Sequence, residues 1–352
     1  MLPIKIVFIG CNPKVIGGAN SFTRSVGSFL GNTFYIYPYI EKEIYNIKIE
    51  GHSKGIFPWT LTYRIINKIT RKKILLFLMR RFIRANLCNV AILNTPSLYY
   101  ACPKNVKKIL VQHTSVDKWL TLKTQFNNNY RLIEKCKNET IIVALSPKDK
   151  IDIINKMNVD EKNIYVIRNS TNIPKLNIPK KKKKKLVMLA RFDNDIKRID
   201  LAISAMKHLP DFDLYIYGDG KDRDYLCFLS KEYSNVYLLK SSFNIKSILD
   251  DSGIYICTSD YEGYPISCIE AMARGLPLIV RNTFSSASDI VIDNGILLSK
   301  EWNEFEFLNA VSKIYNNYEY YSNNSLELYE RHNPEVIKRL WIELVNGVYN
   351  AS

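Results

Sequence analysis

Long apolar runs, paired cysteines and, over one stretch, acidic residues are what this 352-residue sequence lacks. No uninterrupted apolar segment approaches the roughly 20 residues that a membrane-spanning helix needs. The chain is therefore expected to be soluble, or at most to lie on a membrane. The seven cysteines (Cys11, Cys88, Cys102, Cys136, Cys227, Cys257 and Cys268) are scattered, odd in number and never spaced C-x-x-C. That argues against a disulfide framework or zinc site and fits a reducing cytosol. The opening Met1-Leu2-Pro3-Ile4 has no basic region before its apolar residues, so Ile4–Ile9 reads as a first strand rather than a signal peptide. An apolar fraction of 47% with 24% charged residues excludes a disordered chain, and the length suits two domains of average size.

The net charge of +16 is unevenly spread. Residues 1–173 carry 27 Lys/Arg against 10 Asp/Glu, and residues 174–352 carry 23 against 24. The excess positive charge thus belongs to the first half, as expected of a domain that faces a polyanion or an anionic bilayer. Within it, Lys54–Arg84 holds nine cations and no acid, interleaved with Phe57, Trp59, Leu75, Leu76, Phe77, Phe82 and Ile83. Basic amphipathic helices with aromatic residues sit in the headgroup region of anionic membranes.

Short β-branched runs alternate with helical stretches throughout. Expected strands are Ile4–Ile9, Val90–Leu93, Lys108–Val111, Thr140–Ala144 and Ile164–Ile167, then Leu186–Ala190, Asp213–Tyr217, Val236–Leu239, Gly253–Thr258 and Pro277–Val280. Near-continuous apolar strands separated by helices predict α/β domains with parallel sheets covered on both faces. The alternation runs twice. Between the two runs stand Pro174, Pro179 and the six lysines Lys180–Lys185, which read as a linker. The domains are therefore expected at 1–173 and 174–333, with a further helix at Pro334–Val348.

Three segments carry chemistry. Ile16-Gly17-Gly18-Ala19-Asn20 lies between the first strand and a helical stretch Ser21–Leu30; its glycines let backbone approach a ligand, and the helix start favours anions. Arg191 and Lys197 follow the strand Leu186–Ala190, where parallel sheets bind ligands, and offer a guanidinium fork and a compact charge to phosphate oxygens. Ser259-Asp260-Tyr261-Glu262-Gly263-Tyr264-Pro265-Ile266 leads into a helix bearing Glu270. It combines a carboxylate for sugar hydroxyls, a nest of backbone amides for a diphosphate, and a second carboxylate for ribose hydroxyls. The D-x-D pairs Asp193/Asp195, Asp211/Asp213 and Asp222/Asp224 read as loop and helix-surface carboxylates. His52, His208 and His332 share no ligand spacing, and Tyr35, Tyr37, Tyr39, Tyr99 and Tyr100 are expected to pack the first sheet or line its loops.

These segments resemble the retaining glycosyltransferases of family 4, over nearly the whole chain. Glu262 and Glu270 match an E-x7-E motif within E-G-[FY]-P…E-A-M-A-x-G-x-P, and Arg191 and Lys197 match the pair that holds the donor diphosphate. Tyr217-Gly218-Asp219-Gly220-Lys221-Asp222-Arg223 is similar to G-D-G-P-x-R, Ile167–Asn172 to I-P-N-G-[VI]-D, and Gly17-Gly18-Ala19 to the amino-terminal G-G-A loop. His113 matches a histidine placed near the donor sugar. Ser170 and Arg198 stand where the family often has glycine, and Phe284–Asp289 replaces the usual G-G-x-x-E.

The resemblance implies the GT-B fold, two facing Rossmann-like domains with parallel sheets and a cleft between them, with the C-terminal helix 334–350 packing back on the first domain. It implies transfer of a sugar from a nucleoside-diphosphate donor (UDP or GDP) to a hydroxyl with retention, without cofactor or metal. Catalytic roles fall to Glu262, His113, Arg191 and Lys197. Donor binding falls to Gly17, Gly18, Arg191, Lys197, Glu262, Gly263, Tyr264, Pro265, Ile266 and Glu270. The expected partners are a nucleotide-sugar, a glycan or lipid-linked acceptor of a bacterial surface polysaccharide such as lipopolysaccharide or capsule, and an anionic membrane through Lys54–Arg84. The expected location is the cytoplasmic face of the cell membrane. A sugar-nucleotide epimerase of the same fold is the alternative, and a nucleic-acid binder would leave Glu262 and Glu270 without a purpose.

Overall fold

The computed structural model describes residues 4–350 except 16, 41–46, 125–126 and 179. Met1–Pro3, Ile16 and Pro179, on which the reading above draws, lie outside the described residues. The chain folds as two α/β units, Met1–Arg168 with Pro334–Ser352 (unit 1) and Asn169–Asn333 (unit 2).

Unit 1 is built on the strands β1 (Ile6–Ile9), β2 (Thr33–Ile40), β3 (His52–Pro58), β4 (Val90–Leu93) and β5 (Lys107–Val111), a two-residue ribbon of β6 (Lys123–Thr124) and β7 (Asn127–Asn128), then β8 (Thr140–Ala144) and β9 (Ile164–Val166). Seven of them form one sheet in the order β3-β2-β1-β4-β5-β8-β9, every pair parallel. The apolar runs place β1 and β4 wholly in the core, as a sheet covered on both faces requires. The chain leaves β1 toward β2 on one side and later returns to β4 on the other. Parallel sheets bind ligands at such a point, outside the carboxyl ends of the strands.

Strands β2 and β3 were not among those expected. β2 is tyrosine-rich and interrupted by Pro38, and β3, His52-Ser53-Lys54-Gly55, is a polar edge strand without apolar alternation. Tyr35 and Tyr37 are buried on β2 and Tyr99 in a 3₁₀ turn, so these three pack the unit's interior. Helix α1 runs Gly18–Leu30 and so starts three residues before Ser21, with Gly17 at its N-cap. Helices α2 (Leu61–Ile69) and α3 (Lys73–Ala85) carry most of the basic stretch. The C-terminal helix Pro334–Asn350 buries Ile337, Trp341, Leu344, Val345 and Val348, one stripe at helical spacing. Trp341 is completely buried, with its ring edge-on to Phe22 of α1 at 5.7 Å.

Unit 2 has the strands β10 (Lys185–Leu189), β11 (Asp213–Tyr217), β12 (Val236–Leu239), β13 (Ile254–Cys257), β14 (Leu278–Arg281) and β15 (Gly295–Leu298). They form a parallel sheet in the order β12-β11-β10-β13-β14-β15, with its switch point between β10 and β13.

The units divide after Arg168 rather than after Ile173, because Asn169 is already held by unit 2. Its side-chain amide donates to the Tyr264 carbonyl (2.9 Å), and its own carbonyl lies 2.9 Å from Nδ1 of the buried His332. The lysine run is not a free linker either. Lys180 donates to the carbonyls of Leu249 and Ser252, and burial pushes its pKa down to about 7. Lys182 lies over the Tyr315 ring, Lys184 over Phe212, and Lys185 opens β10 with its ammonium 3.8 Å from the centre of the Tyr215 ring. Cations stacked on aromatic faces can dock at a surface that a like-charge run was expected to avoid.

Truncating Trp341 tests the docking of the C-terminal helix. Trp341→Ala is expected to lower stability by about 3–5 kcal/mol, the usual effect of emptying a tryptophan site. Urea unfolding measures it, and a change below about 1 kcal/mol would show that the helix does not secure unit 1.

Candidate active site

The carboxyl ends of β10 and β13 carry the motif residues of unit 2, and backbone and side-chain bonds tie the two loops together. After β10 the chain runs through Arg191 and Phe192 into a one-turn helix, Asn194–Lys197. Thr258 Oγ1, just past β13, donates to the Lys197 carbonyl (2.9 Å), and the Asp260 amide donates to that of Ile196 (2.8 Å). The Gly218-Asp219-Gly220 loop after β11 braces the other side. Phe192 donates to the Asp219 carbonyl (2.8 Å), and the Asp222 amide donates to that of Phe192 (3.0 Å). Gly218 is needed for this approach, since a Cβ there would stand 1.9 Å from the Ala190 carbonyl oxygen.

Arg198 has φ +45° and ψ +47°, the left-handed conformation that glycine adopts at no steric cost. This explains why glycine is frequent there in the family it resembles. The arginine is held by Asp200, with Nε 3.2 Å from Oδ1 and Nη2 3.2 Å from Oδ2. Ser170 is not at a positive φ, so its backbone makes no such demand for glycine.

Lys197 and Glu262 form a half-buried ion pair, and the Ser259 hydroxyl donates to the same Glu262 oxygen at 2.7 Å. Burial works against the Lys197 ammonium, but the adjoining carboxylate outweighs it and its pKa stands above the ordinary value. Arg191 is exposed and adds a second positive charge near Lys197.

Gly263, Tyr264 and Pro265 are buried and lead into the helix Ile266–Ala273, whose N-cap is Pro265 and which has no side-chain cap. The Cys268 amide turns back to the Pro265 carbonyl (3.1 Å), which leaves the first two amides, of Ile266 and Ser267, for another acceptor, and such helix starts favour anions. The loop is anchored by Ser286, which donates to the Gly263 carbonyl (2.5 Å), and by the Tyr264 hydroxyl, which donates to Asp289 (3.0 Å) and lies 3.1 Å from His332 Nε2. Glu270 sits on the same helix. No described residue gives its carboxyl a hydrogen bond or an ion pair, and burial pushes its pKa up to about 7.

Gly17, Gly18 and His113 lie in unit 1. An added Cβ at Gly18 would meet nothing, so the start of α1 is open. The loop before it is tied back by Asn20 Nδ2 to the Asn12 carbonyl and by Arg24 Nη1 to that of Pro13, both at 2.7 Å. His113 follows β5, with its ring edge-on to Phe22 at 4.7 Å; burial pushes its pKa down to about 4, so the ring is neutral.

Two D-x-D pairs partly converge. Ligand-capable atoms of Asp193, Asp195 and Asp222 lie within 4.8 Å of one another. The Lys221 ammonium pairs with Asp195 and stands 3.2 Å from Asp193, so this chain's own cation answers the charge.

Several supporting residues escaped the sequence reading. Ser259 holds Glu262, and Arg281, buried at the end of β14, pairs with Asp260 at 2.6 Å and donates to the Thr258 carbonyl at 2.9 Å. An arginine closing an apolar strand was the available signal. Asn94, whose side-chain oxygen lies 2.8 Å from His113 Nε2, and His332 gave none, because only the fold reveals their partners.

Residues 169–330 match the family model of glycosyl transferases group 1. The match takes in nearly all of unit 2 and under half of the chain, and the chain has the fold of the GT-B glycosyltransferases. It is similar to sucrose-phosphate synthase from Thermosynechococcus elongatus (TM-score 0.78, 15% identity, 99% of this chain and 100% of that one). It is also similar to Anabaena HepE solved with UDP (TM-score 0.76, 14% identity, 98% and 100%). In sequence it is 25% identical over 333 residues to a poly(ribitol-phosphate) alpha-N-acetylglucosaminyltransferase of Staphylococcus aureus. That match takes in 88% of this chain and 65% of the staphylococcal enzyme, so the chain spans just under two-thirds of that relative.

Glu270 gives a pH-dependent test. The unfolded carboxyl ionises near its ordinary 4.5, whereas the folded one keeps its proton to about 7. Above pH 4.5 the unfolded state loses its proton more readily, so stability falls as pH rises to about 7 and then levels. Glu270→Gln is therefore expected to stabilise the protein at pH 8 by on the order of 1–3 kcal/mol, and to change little near pH 4. Thermal unfolding at the two pH values checks this. Equal effects at both, or a loss at pH 8, would contradict it.

Proposed function

We propose that the protein moves a hexose-type sugar from a nucleoside-diphosphate-sugar to a hydroxyl, with retention of anomeric configuration. The acceptor in this reading is a lipid-linked glycan in bacterial surface polysaccharide synthesis, either lipopolysaccharide or capsule. One observation carries it: Lys197, Glu262 and an uncapped helix start meet at the β10/β13 switch point of a glycosyl transferases group 1 unit.

Arg191, Lys197 and the backbone N–H groups of Gly263, Tyr264 and Ile266 would stabilise charge growing on the departing diphosphate; Pro265 between them has none to give. Stabilisation that develops only in the transition state is what accelerates the step. An incoming diphosphate would share Lys197 with Glu262 and leave that carboxylate to accept from sugar hydroxyls. Glu270, once ionised, would accept from the ribose, and Gly17, Gly18 and His113 of unit 1 would serve the same donor. Cations and amides take the part that a metal plays elsewhere, so no metal or other cofactor enters this mechanism. Incubation with donor alone separates transfer from the epimerase reading, since an epimerase turns over without an acceptor.

Lys197→Ala and Glu270→Ala are each expected to lower transfer roughly 10- to 100-fold, the effect of losing a charge-assisted contact of about 1.5–3 kcal/mol. Initial rates with a panel of UDP- and GDP-sugars measure this. Wild-type rates for both variants would overturn the site.

The same proposal places unit 1 on the inner leaflet of the cell membrane. No helix among the described residues is long and apolar enough to cross a membrane. Yet α2 exposes Leu61, Ile65 and Ile69 at helical spacing, and α3 exposes Ile74 and Phe77. Seven of the nine cations stand exposed around them: Lys54, Arg64, Lys68, Arg71, Lys73, Arg81 and Arg84. The other two turn inward, since Arg80 donates to the Tyr100 carbonyl and Lys72 is half-buried with its pKa lowered by that burial. Each exposed cation contributes about 1 kcal/mol at best near an anionic surface. Binding to anionic vesicles is thus expected at low salt and released at high salt. Changing Arg71, Lys73, Arg81 and Arg84 to Gln should lower vesicle co-sedimentation at least about ten-fold. Equal binding by both proteins would leave these helices as an ordinary solvated face.

A further inference from the structure

Three buried or half-buried side chains meet at the β1/β4 switch point of unit 1, and their hydrogen bonds permit one proton arrangement. The Thr23 hydroxyl donates its only proton to the Ala19 carbonyl at 2.7 Å. Its oxygen can then only accept, and the group it faces at 2.9 Å is the amide of Asn94, which must present its NH₂ side. The Asn94 carbonyl oxygen is thereby turned to His113 Nε2, at 2.8 Å. A hydrogen bond between those two atoms requires the proton to be on Nε2. Neutral imidazole carries one N–H, so Nδ1 is left with a lone pair.

The surroundings hold this state. Phe22 packs edge-on against the ring and Trp341 packs edge-on against Phe22. The groups that meet the imidazole are thus the Phe22 ring of α1 and the Asn94 amide at the end of β4, backed in turn by the Trp341 indole and the Thr23 hydroxyl. Burial alone accounts for its low pKa, with no charged side chain contributing.

We infer that Asn94, fixed by Thr23, is the positioning residue that sets the tautomer of His113, so that unit 1 offers its ligand an imidazole nitrogen that accepts a hydrogen bond. The chemical group that suits such an acceptor is a hydroxyl with a proton to donate. This rests on the reading of His113 as a contact to the donor sugar. It also links the start of α1 to His113, because Ala19 of the Gly17-Gly18-Ala19 loop terminates the chain of bonds.

Nitrogen-15 NMR of histidine-labelled protein tests the tautomer without any substrate, with His113→Gln identifying the signal. The wild type should show a protonated Nε2 and an unprotonated Nδ1 from pH 8 down to about 5. Asn94→Asp, which keeps the side chain's shape, should draw a second proton onto the ring and move its titration up to pH 6.5 or above. Thr23→Val should let the amide turn over and mix the tautomers. A wild-type ring protonated on Nδ1, or a ring indifferent to both substitutions, would overturn the inference. In transfer assays Asn94→Asp should lose roughly 3- to 10-fold in kcat/KM at pH 7 and regain part of it at pH 8.5, as the ring becomes neutral again. Unchanged kcat/KM beside the expected spectra would show that the tautomer serves no ligand, while loss of all turnover in the wild type would fault the transfer reading instead.

Discussion

Strands β10 and β13 are hydrogen-bonded neighbours whose onward connections diverge, β10 leading to β11 on one side and β13 to β14 on the other. Right-handed crossovers then carry the chain to opposite faces of the sheet, and neither connection can cover the carboxyl ends of the strands between them. That constraint decides where chemistry is possible in unit 2. Whatever residues follow β10 and β13 are held close together at an open edge, and here they are Lys197 and Glu262.

A half-buried ion pair is a weak source of stability, since desolvation offsets much of the attraction. Its presence at the open end of a sheet is better explained by use. The pair keeps a compact cation and a carboxylate in place before any ligand arrives, and Ser259 restrains the carboxylate further. Glu270 points the same way. A carboxyl kept in a site that raises its pKa opposes folding at neutral pH, and such placements gather where a ligand will supply the missing partner. Arg198, in the left-handed conformation with its guanidinium on Asp200, adds a local backbone cost of about 1–2 kcal/mol in the same loop.

Much of this was legible in the residues. The buried strands announced themselves as short β-branched runs, and Val90–Leu93, Thr140–Ala144, Asp213–Tyr217 and Val236–Leu239 fall where the pattern puts them. β2 and β3 were not seen, because tyrosine, proline and polar edge residues break the apolar run that marks a buried strand, whereas β15, Gly295-Ile296-Leu297-Leu298, is apolar but only four residues long and opens on a glycine. The lysine run misled for a different reason: composition reports charge but not the aromatic faces of Tyr215, Phe212 and Tyr315 on which those cations rest. Likewise, Arg191, Lys197, Glu262 and Glu270 stand out by motif. Of the residues that support them, Thr258 and Arg281 are polar groups at strand ends whose partners are distant in sequence, and Ser259 is a serine three residues from Glu262 that nothing but the folded loop turns toward it.

The central claim is that the ends of β10 and β13 bind a nucleoside diphosphate through Lys197. Calorimetric titration with UDP and with GDP, in EDTA, tests it without knowledge of the sugar or the acceptor. Saturable one-site binding of one of the two nucleotides is expected, weakened roughly 10- to 100-fold in Lys197→Ala. Binding of neither nucleotide, or an affinity that Lys197→Ala leaves unchanged, would contradict it.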